Sequence, residues 1–307
     1  MFAAPPAVTA EVFATLPDEL RMRDRGSMFI DEHPGHVPSH SVLEGPSFDR
    51  DGHLFCVDIP YGRIFRVDPA GNFSLFVEYD GWPNGLKIHR DGRVFVTDFK
   101  RGIVVIDPNT RKIEPFLERY RLEHLKAPND LVFARNGDLY FTDQGLTGLQ
   151  DPTGRLFRVK PDGRIDCLVD TIASPNGVVL DRSEELVYVA ATRQNAVLRV
   201  PLLRDGGAAK VGIFIQMSGG SGPDGLAIDD DGNLVVAHVG LGAVWQFSPR
   251  GEPLLRINAP RGGHTTNVAY GGDDLRTLFI TEAETGTILT ARMRSPGRTM
   301  FSHATET

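Results

Sequence analysis

Six polar residues recur at near-equal intervals along the chain: Glu44, Asn84, Asn129, Asn176, Asp224 and Asn267, separated by 40, 45, 47, 48 and 43 positions. They sit in the short steps EGPSF, WPNGL, APNDL, SPNGV, GPDGL and TTNVA. Brought together, Glu44, Asn129, Asn176 and Asp224 would supply two carboxylates and two amide oxygens. An all-oxygen set carrying two negative charges suits one hard divalent cation, Ca²⁺ first. The small octahedral shell of Mg²⁺ matches rigid, separately fixed donors less well, and Zn²⁺ or Mn²⁺ are further alternatives. The competing reading of any one step is a turn, in which Asn or Asp bonds its own backbone. Glu44 is a poor turn former yet holds the equivalent place. The repetition therefore favours a shared site. Asn84 and Asn267 would line the same pocket or only shape their turns.

Each step leads into a short apolar strand, a polar turn and a second strand, as in LKIHRDGRVFVTD, LVFARNGDLYFTD and LAIDDDGNLVVAH. Asp-Gly or Asn-Gly between apolar runs marks a hairpin, because both residues tolerate positive φ. Third strands follow (GRIFRVDP, GIVVIDP, GRLFRVKP), and fourth strands show in NFSLFVE, KIEPFLE and RIDCLVD. Four antiparallel strands per unit of about 45 residues is the signature of a propeller blade. The expected fold is an all-β, six-bladed propeller forming a single domain over 1–307, with blades over about 44–292. AEVFATL, at about 10–16, supplies the outer strand of the last blade, and closure removes an unpaired edge. A β-sandwich would explain many short strands but not six equivalent polar steps. An α/β fold would need helical periodicity that is absent. Residues 24–43 lack the blade pattern and read as a loop across one end. Its His33, His36 and His40 come without cysteine or structural zinc spacing, so solvated loop histidines are expected.

The blades also order the remaining candidates. Asp58, Asp98 and Asp143 end corresponding second strands, which favours turn bonding over three catalytic acids. Asp143 has the strongest functional case of the three, because it precedes the long loop QGLTGLQDPTG. His264 comes just before the sixth step, where an imidazole could bind substrate or relay a proton. Composition narrows the partners. With 33 basic against 40 acidic residues and a net charge of -7, the average field attracts neither nucleic acid nor an anionic membrane. Cys56 and Cys167 are far apart in strand-like runs and read as core thiols. The N-terminal stretch has no basic region before an apolar one, and no run approaches the roughly 20 apolar residues that cross a bilayer. The expectation is a cytoplasmic protein acting on a small molecule, with its oligomeric state open.

LEGPSF, APNDLVFARNGDLYFTD, SPNGVVLD, GPDGLAIDDDGNLVVA and TTNVAYGG together closely resemble the SMP-30/gluconolactonase/LRE family of six-bladed propeller hydrolases, from residue 41 to 292. The resemblance implies metal-dependent hydrolysis of a lactone, with Glu44, Asn129, Asn176 and Asp224 at the family's metal positions. In some sugar lactonases the match to Asn129 lies nearer substrate than metal. His264 resembles a histidine of the fluorophosphatase branch. Two departures bear on substrate. The sugar-lactonase arginine two positions before Asn129 is Ala127, and TDQG replaces the TDPxYG form, so a less hydroxylated lactone is expected. The bound cation would polarise the carbonyl, with Asp224 as general base and His264 orienting the leaving oxygen. The alternatives are phosphotriester hydrolysis on the same site, a non-catalytic interaction propeller, and a synthase or isomerase with an apolar channel.

Overall fold

The computed structural model describes residues 4–32 and 40–304. Its six inner strands are Leu43–Phe48, Pro83–Ile88, Pro128–Phe133, Pro175–Leu180, Gly222–Ile228 and Thr265–Gly271, each the edge strand of one sheet. Each inner strand packs on the next, and the sixth packs back on the first. The ring is closed: this is a six-bladed β-propeller. Strands consecutive in sequence within a blade pair antiparallel, as in blade three, which short hairpins permit. In blade five the turn is held by Asp229, whose Oδ1 accepts the N–H groups of Asp231 at 3.0 Å and Asn233 at 2.8 Å, while Gly232 takes φ 83°.

The core lies between blades, because each sheet is apolar on both faces where it meets its neighbours. The cluster joining blades six and one contains Leu43, Leu54, Phe65, Phe279 and Ile288, with Ala14 and Leu16 from the N-terminal segment. Glu11–Thr15 pairs antiparallel with Thr287–Arg292, as the closing-strand expectation required. A second strand was not foreseen. Ala7–Thr9 adds in parallel to Pro253–Asn258, giving blade five a fifth strand. Three exposed residues following two prolines carry no alternation from which to read it. The N-terminal segment thus straps blade five to blade six, and opening the ring must break both pairings.

The structure also relocates the polar steps. They are not turns ahead of the strands but bulges inside them. Pairing skips between Pro83 and Leu86, Pro128 and Leu131, Pro175 and Val178, and Pro223 and Leu226. A bulge leaves its residues out of the ladder and re-aims their side chains, here toward the axis. The 24–43 segment contributes a short helix, Met28–Asp31, whose Phe29 is buried against Trp82 and Phe99. His33 and His36 lie outside the described residues. His40 contacts Arg21 at 3.1 Å and the carbonyl of Glu284 at 3.2 Å, which is loop bonding.

Candidate functional site

One cavity of about 140 Å³ at one end of the axis is lined by Glu44, Asn84, Asn129, Asn176, Asp224 and His264 together. Each comes from a different blade except His264, which enters on the segment leading into blade six. The predicted set therefore converges, and Asn84 joins it. Asn267 does something else. Its Nδ2 donates to Glu44 Oε2 at 2.8 Å and its Oδ1 accepts the Val268 N–H, so it orients Glu44. Gly45 N–H also donates to Glu44 Oε2. That leaves Glu44 Oε1, which is buried and has no hydrogen-bond partner among the described residues. Asn176 Oδ1 is a second buried acceptor in the same condition.

Orphaned buried acceptors are costly, and two of them aimed into one pocket call for a positive ligand. The electrostatics agree. Burial, then the charge of Asp130, pushes the Glu44 carboxyl up to about 8. Burial and the Glu44 charge hold Asp224 well above the usual carboxylate range. Two carboxylates crowded out of water without a counter-charge repel one another, and a divalent cation reverses both effects. The donors present have the charge and acceptor chemistry that a hard divalent cation requires.

Asn129 is fixed by a relay. Its Nδ2 donates to Gln144 Oε1 at 2.9 Å, and Gln144 Nε2 donates to Ser174 Oγ at 2.8 Å. With its amide nitrogen engaged, Asn129 turns Oδ1 away from Gln144. His264 is held through its backbone N–H, which donates to Glu282 Oε1 at 3.0 Å. Its ring Nδ1 has no hydrogen-bond partner among the described residues and lies 3.8 Å from Glu284. The imidazole is free to engage a ligand. Phe29, Val42, Ile59 and Phe99 add apolar lining to the same cavity.

A model of the SMP-30/gluconolactonase/LRE-like region matches residues 42–284, most of the chain. The chain belongs to that family. Lactonase drp35 of Staphylococcus aureus strain MW2 is 35% identical over 230 residues, covering 71% of this chain and 70% of the relative. Lactonase drp35 of Staphylococcus epidermidis is likewise 35% identical, over 229 residues with the same shares covered. A solved structure described as a calcium-binding protein, regucalcin, from Agrobacterium tumefaciens superposes with a TM-score of 0.77. It is 22% identical, with 97% of this chain and 98% of that one covered. At that identity the likeness concerns the fold.

Within this family member the strand-end aspartates are structural. Asp58 accepts from Val42 N at 2.7 Å and Arg63 Nε at 2.9 Å. Asp98 accepts from Tyr79 Oη at 2.8 Å and Lys100 N at 2.8 Å. Asp143 accepts from Ala127 N at 2.9 Å and Arg155 Nη2 at 2.6 Å. All three are fully buried and tie the start of the inner strand to the end of the second. The acidic trio Asp49, Asp51 and His53 lies in a surface hairpin, where Asp49 Oδ1 bonds the N–H groups of both others. That pattern is a turn.

Three site residues escaped the sequence reading. Asp130, buried beside Asn129, occupies the place of Gly85, Gly177 and Gly225 in other blades, and Lys87 Nζ lies 3.8 Å from it. A side chain where the repeat keeps glycine was the available signal. Gln144 was visible only as a departure from a motif. Arg193, exposed at the cavity edge, follows a second strand that ends in Ala191 where three others end in aspartate.

Proposed function

We propose that this propeller hydrolyses a lactone with the help of one divalent cation, Ca²⁺ foremost, held by Glu44, Asn176 and Asp224 with Asn129 beside them. The observation that carries the reading is the pair of orphaned acceptors, Glu44 Oε1 and Asn176 Oδ1, facing one cavity with Asp224. Drp35 relatives named as lactonases support the reaction class. A cation bound there supplies Lewis-acid polarisation of the lactone carbonyl. Asp224 is the general base: the carboxylate oxygen that the cation leaves free takes a proton from the attacking water. Asn129, its amide nitrogen committed to Gln144, presents oxygen to the cavity. His264 supplies the ring that orients the ring oxygen as it leaves. The apolar side chains of Phe29, Val42, Ile59 and Phe99 limit the water that the cavity holds.

The test uses purified protein stripped of metal and reloaded with Ca²⁺, Mg²⁺, Mn²⁺ or Zn²⁺. Each form is assayed on sugar, aliphatic and aromatic lactones and on a fluorophosphate, with binding followed by calorimetry. One saturable divalent site and cation-dependent lactone turnover are expected. No specific divalent binding, or turnover of the fluorophosphate alone, overturns the reading.

A further inference from the structure

We infer that Arg193 is the specificity determinant of the site and that the substrate is a lactone bearing a carboxylate on or beside its ring. This rests on the proposed lactone hydrolysis at this cavity. Arg193 lies in the 3-10 turn Thr192–Gln194, between Asn176 and Asp224 in chain order. It is the single lysine or arginine lining the cavity among the described residues, and its guanidinium has no hydrogen-bond or ion-pair partner among them.

The turn that carries it is fixed at both ends. Thr192 N–H donates to Ser174 O at 3.0 Å, and Thr192 Oγ1 donates to Pro223 O at 2.7 Å, next to Asp224. Asn195, left-handed at φ 52°, closes the turn and donates from Nδ2 to Gly219 O at 2.9 Å. Gln216 Nε2 donates to Asn195 O at 2.9 Å. Blade five presses on the same turn so closely that a Cβ at Gly222, itself at φ 123°, would lie 2.1 Å from Thr192 O. An exposed arginine on a mobile loop would be ordinary. This one stands on a turn fastened to the strand that carries the proposed base.

Charge counting gives it a task. Glu44 and Asp224 balance a divalent cation, and Asp130 faces Lys87. The Arg193 charge also favours the ionised form of Asp224, and once a cation takes that carboxylate the guanidinium is the positive charge left over at the cavity edge. A planar guanidinium binds carboxylate through two parallel hydrogen bonds, a geometry that also fixes orientation. Phe29, Phe99 and Arg193 line the same cavity as the proposed cation ligands, so a small ring that packs on the aromatic side chains and carries a carboxylate has a matching group for each.

The experiment compares a five-membered lactone bearing a ring carboxylate with its uncharged carboxamide, on cation-loaded wild type, R193Q and R193K. Wild type should favour the carboxylate by about tenfold or more in kcat/KM, as a charge-assisted pair does, and the preference should shrink with added salt. R193Q should bring the ratio close to one, chiefly by raising KM for the carboxylate. R193K should restore part of it. Turnover of both compounds without charge preference, or an equal loss on both in R193Q, overturns the inference while leaving lactone hydrolysis standing. Turnover of neither, with a sugar, aliphatic or aromatic lactone still hydrolysed, overturns the inference alone, and turnover of no lactone overturns both.

Discussion

The two ends of the propeller axis are built by the same six strands and differ in what fills them. At one end the bulged positions present Glu44, Asn84, Asn129, Asn176 and Asp224 to a cavity of about 140 Å³ with unsatisfied acceptors. At the other, Ser47, Ile88, Val132, Val178, Leu226 and Ala269 surround a cavity of about 380 Å³ roofed by the C-terminal segment. There Phe301 stacks on Phe133 with ring centroids 5.0 Å apart, Arg90 lies over Phe301, and Ser302 Oγ donates to Phe48 O at 3.2 Å. One end is finished by the chain itself and the other is left chemically unfinished. A protein bears the cost of buried, unpaired oxygens where a ligand completes them. Changes at the polar end should therefore alter chemistry and cation binding, and changes at the closed end should alter stability alone.

The largest expected effect is on Asp224. Asp224→Asn, assayed at saturating cation on the best lactone, should lower kcat by about 10²–10⁴-fold, the usual span for a lost general base. Calorimetry should show the cation weakened but bound, and circular dichroism a wild-type fold. Turnover close to wild type in the cation-loaded variant would remove Asp224 from the base role. His264→Ala should cost less, mostly in KM. A collapse of kcat in that variant with cation affinity preserved would move the proton transfer to His264.

Glu44 gives the next effect and a pH signature. Its carboxyl binds a proton more tightly folded than unfolded, with the folded value near 8. Cation binding must displace that proton, so affinity should rise with pH and level off above about 8, with proton release measurable near neutrality. The sign for metal-free stability is the opposite. Stability is full below the ordinary carboxylate range and falls as pH rises toward 8, where the folded state must ionise a buried group. Glu44→Gln should flatten both dependences and weaken the cation strongly. A pH-independent affinity in wild type would place Glu44 outside the ligand set.

How much of this could be read from the chain follows from where the constraint acts. The blade count was legible because each unit repeats one step and one hairpin, and periodicity survives poor letter-by-letter identity. Glu44 was legible because a poor turn former holds a turn position, and Asp224 because it holds the equivalent place in the repeat. Asn267 was not separable from the ring, since orienting a carboxylate and joining it as a donor place the same amide at the same position. Ala7–Thr9 was too short and exposed to signal pairing. Arg193 and Gln144 lie after second strands, outside the repeated step, and their relevance depends on how neighbouring blades meet. Phe301 at the closed end falls after the last blade, where no repeat flags it. Phe301→Ala should lower stability by about 1–3 kcal/mol, less than a fully buried phenylalanine, with cation affinity unchanged. A loss of cation affinity in that variant would couple the two ends and break the comparison.

The smallest effect tests how the polar end is held. Four of the six blades reach to the next through a threonine among the described residues. Thr97 Oγ1 donates to Asn129 O at 2.5 Å, Thr142 Oγ1 to Asn176 O at 2.6 Å, and Thr192 Oγ1 to Pro223 O at 2.7 Å. Thr266 Oγ1 donates to Leu43 O at 2.8 Å and so joins blade six to blade one. All four carbonyls belong to, or directly precede, a proposed cation ligand: Asn129, Asn176, Asp224 and Glu44. Thr142 also accepts the Asp130 N–H at 3.1 Å. Thr142→Val keeps the shape but leaves a buried carbonyl and a buried N–H unpaired, which should cost about 1–3 kcal/mol. Because the lost bonds hold the backbone of Asn176 and Asp130, cation affinity should fall together with Tm, and Thr142→Ser should recover both. Ser302→Ala, which removes the hydroxyl's bonds to Phe48 O and His303 Nδ1 at the closed end, should lower Tm slightly and leave the cation untouched. If Thr142→Val lowers Tm without moving cation affinity, the threonine only fastens blades, and the bulges alone set the positions of the donors.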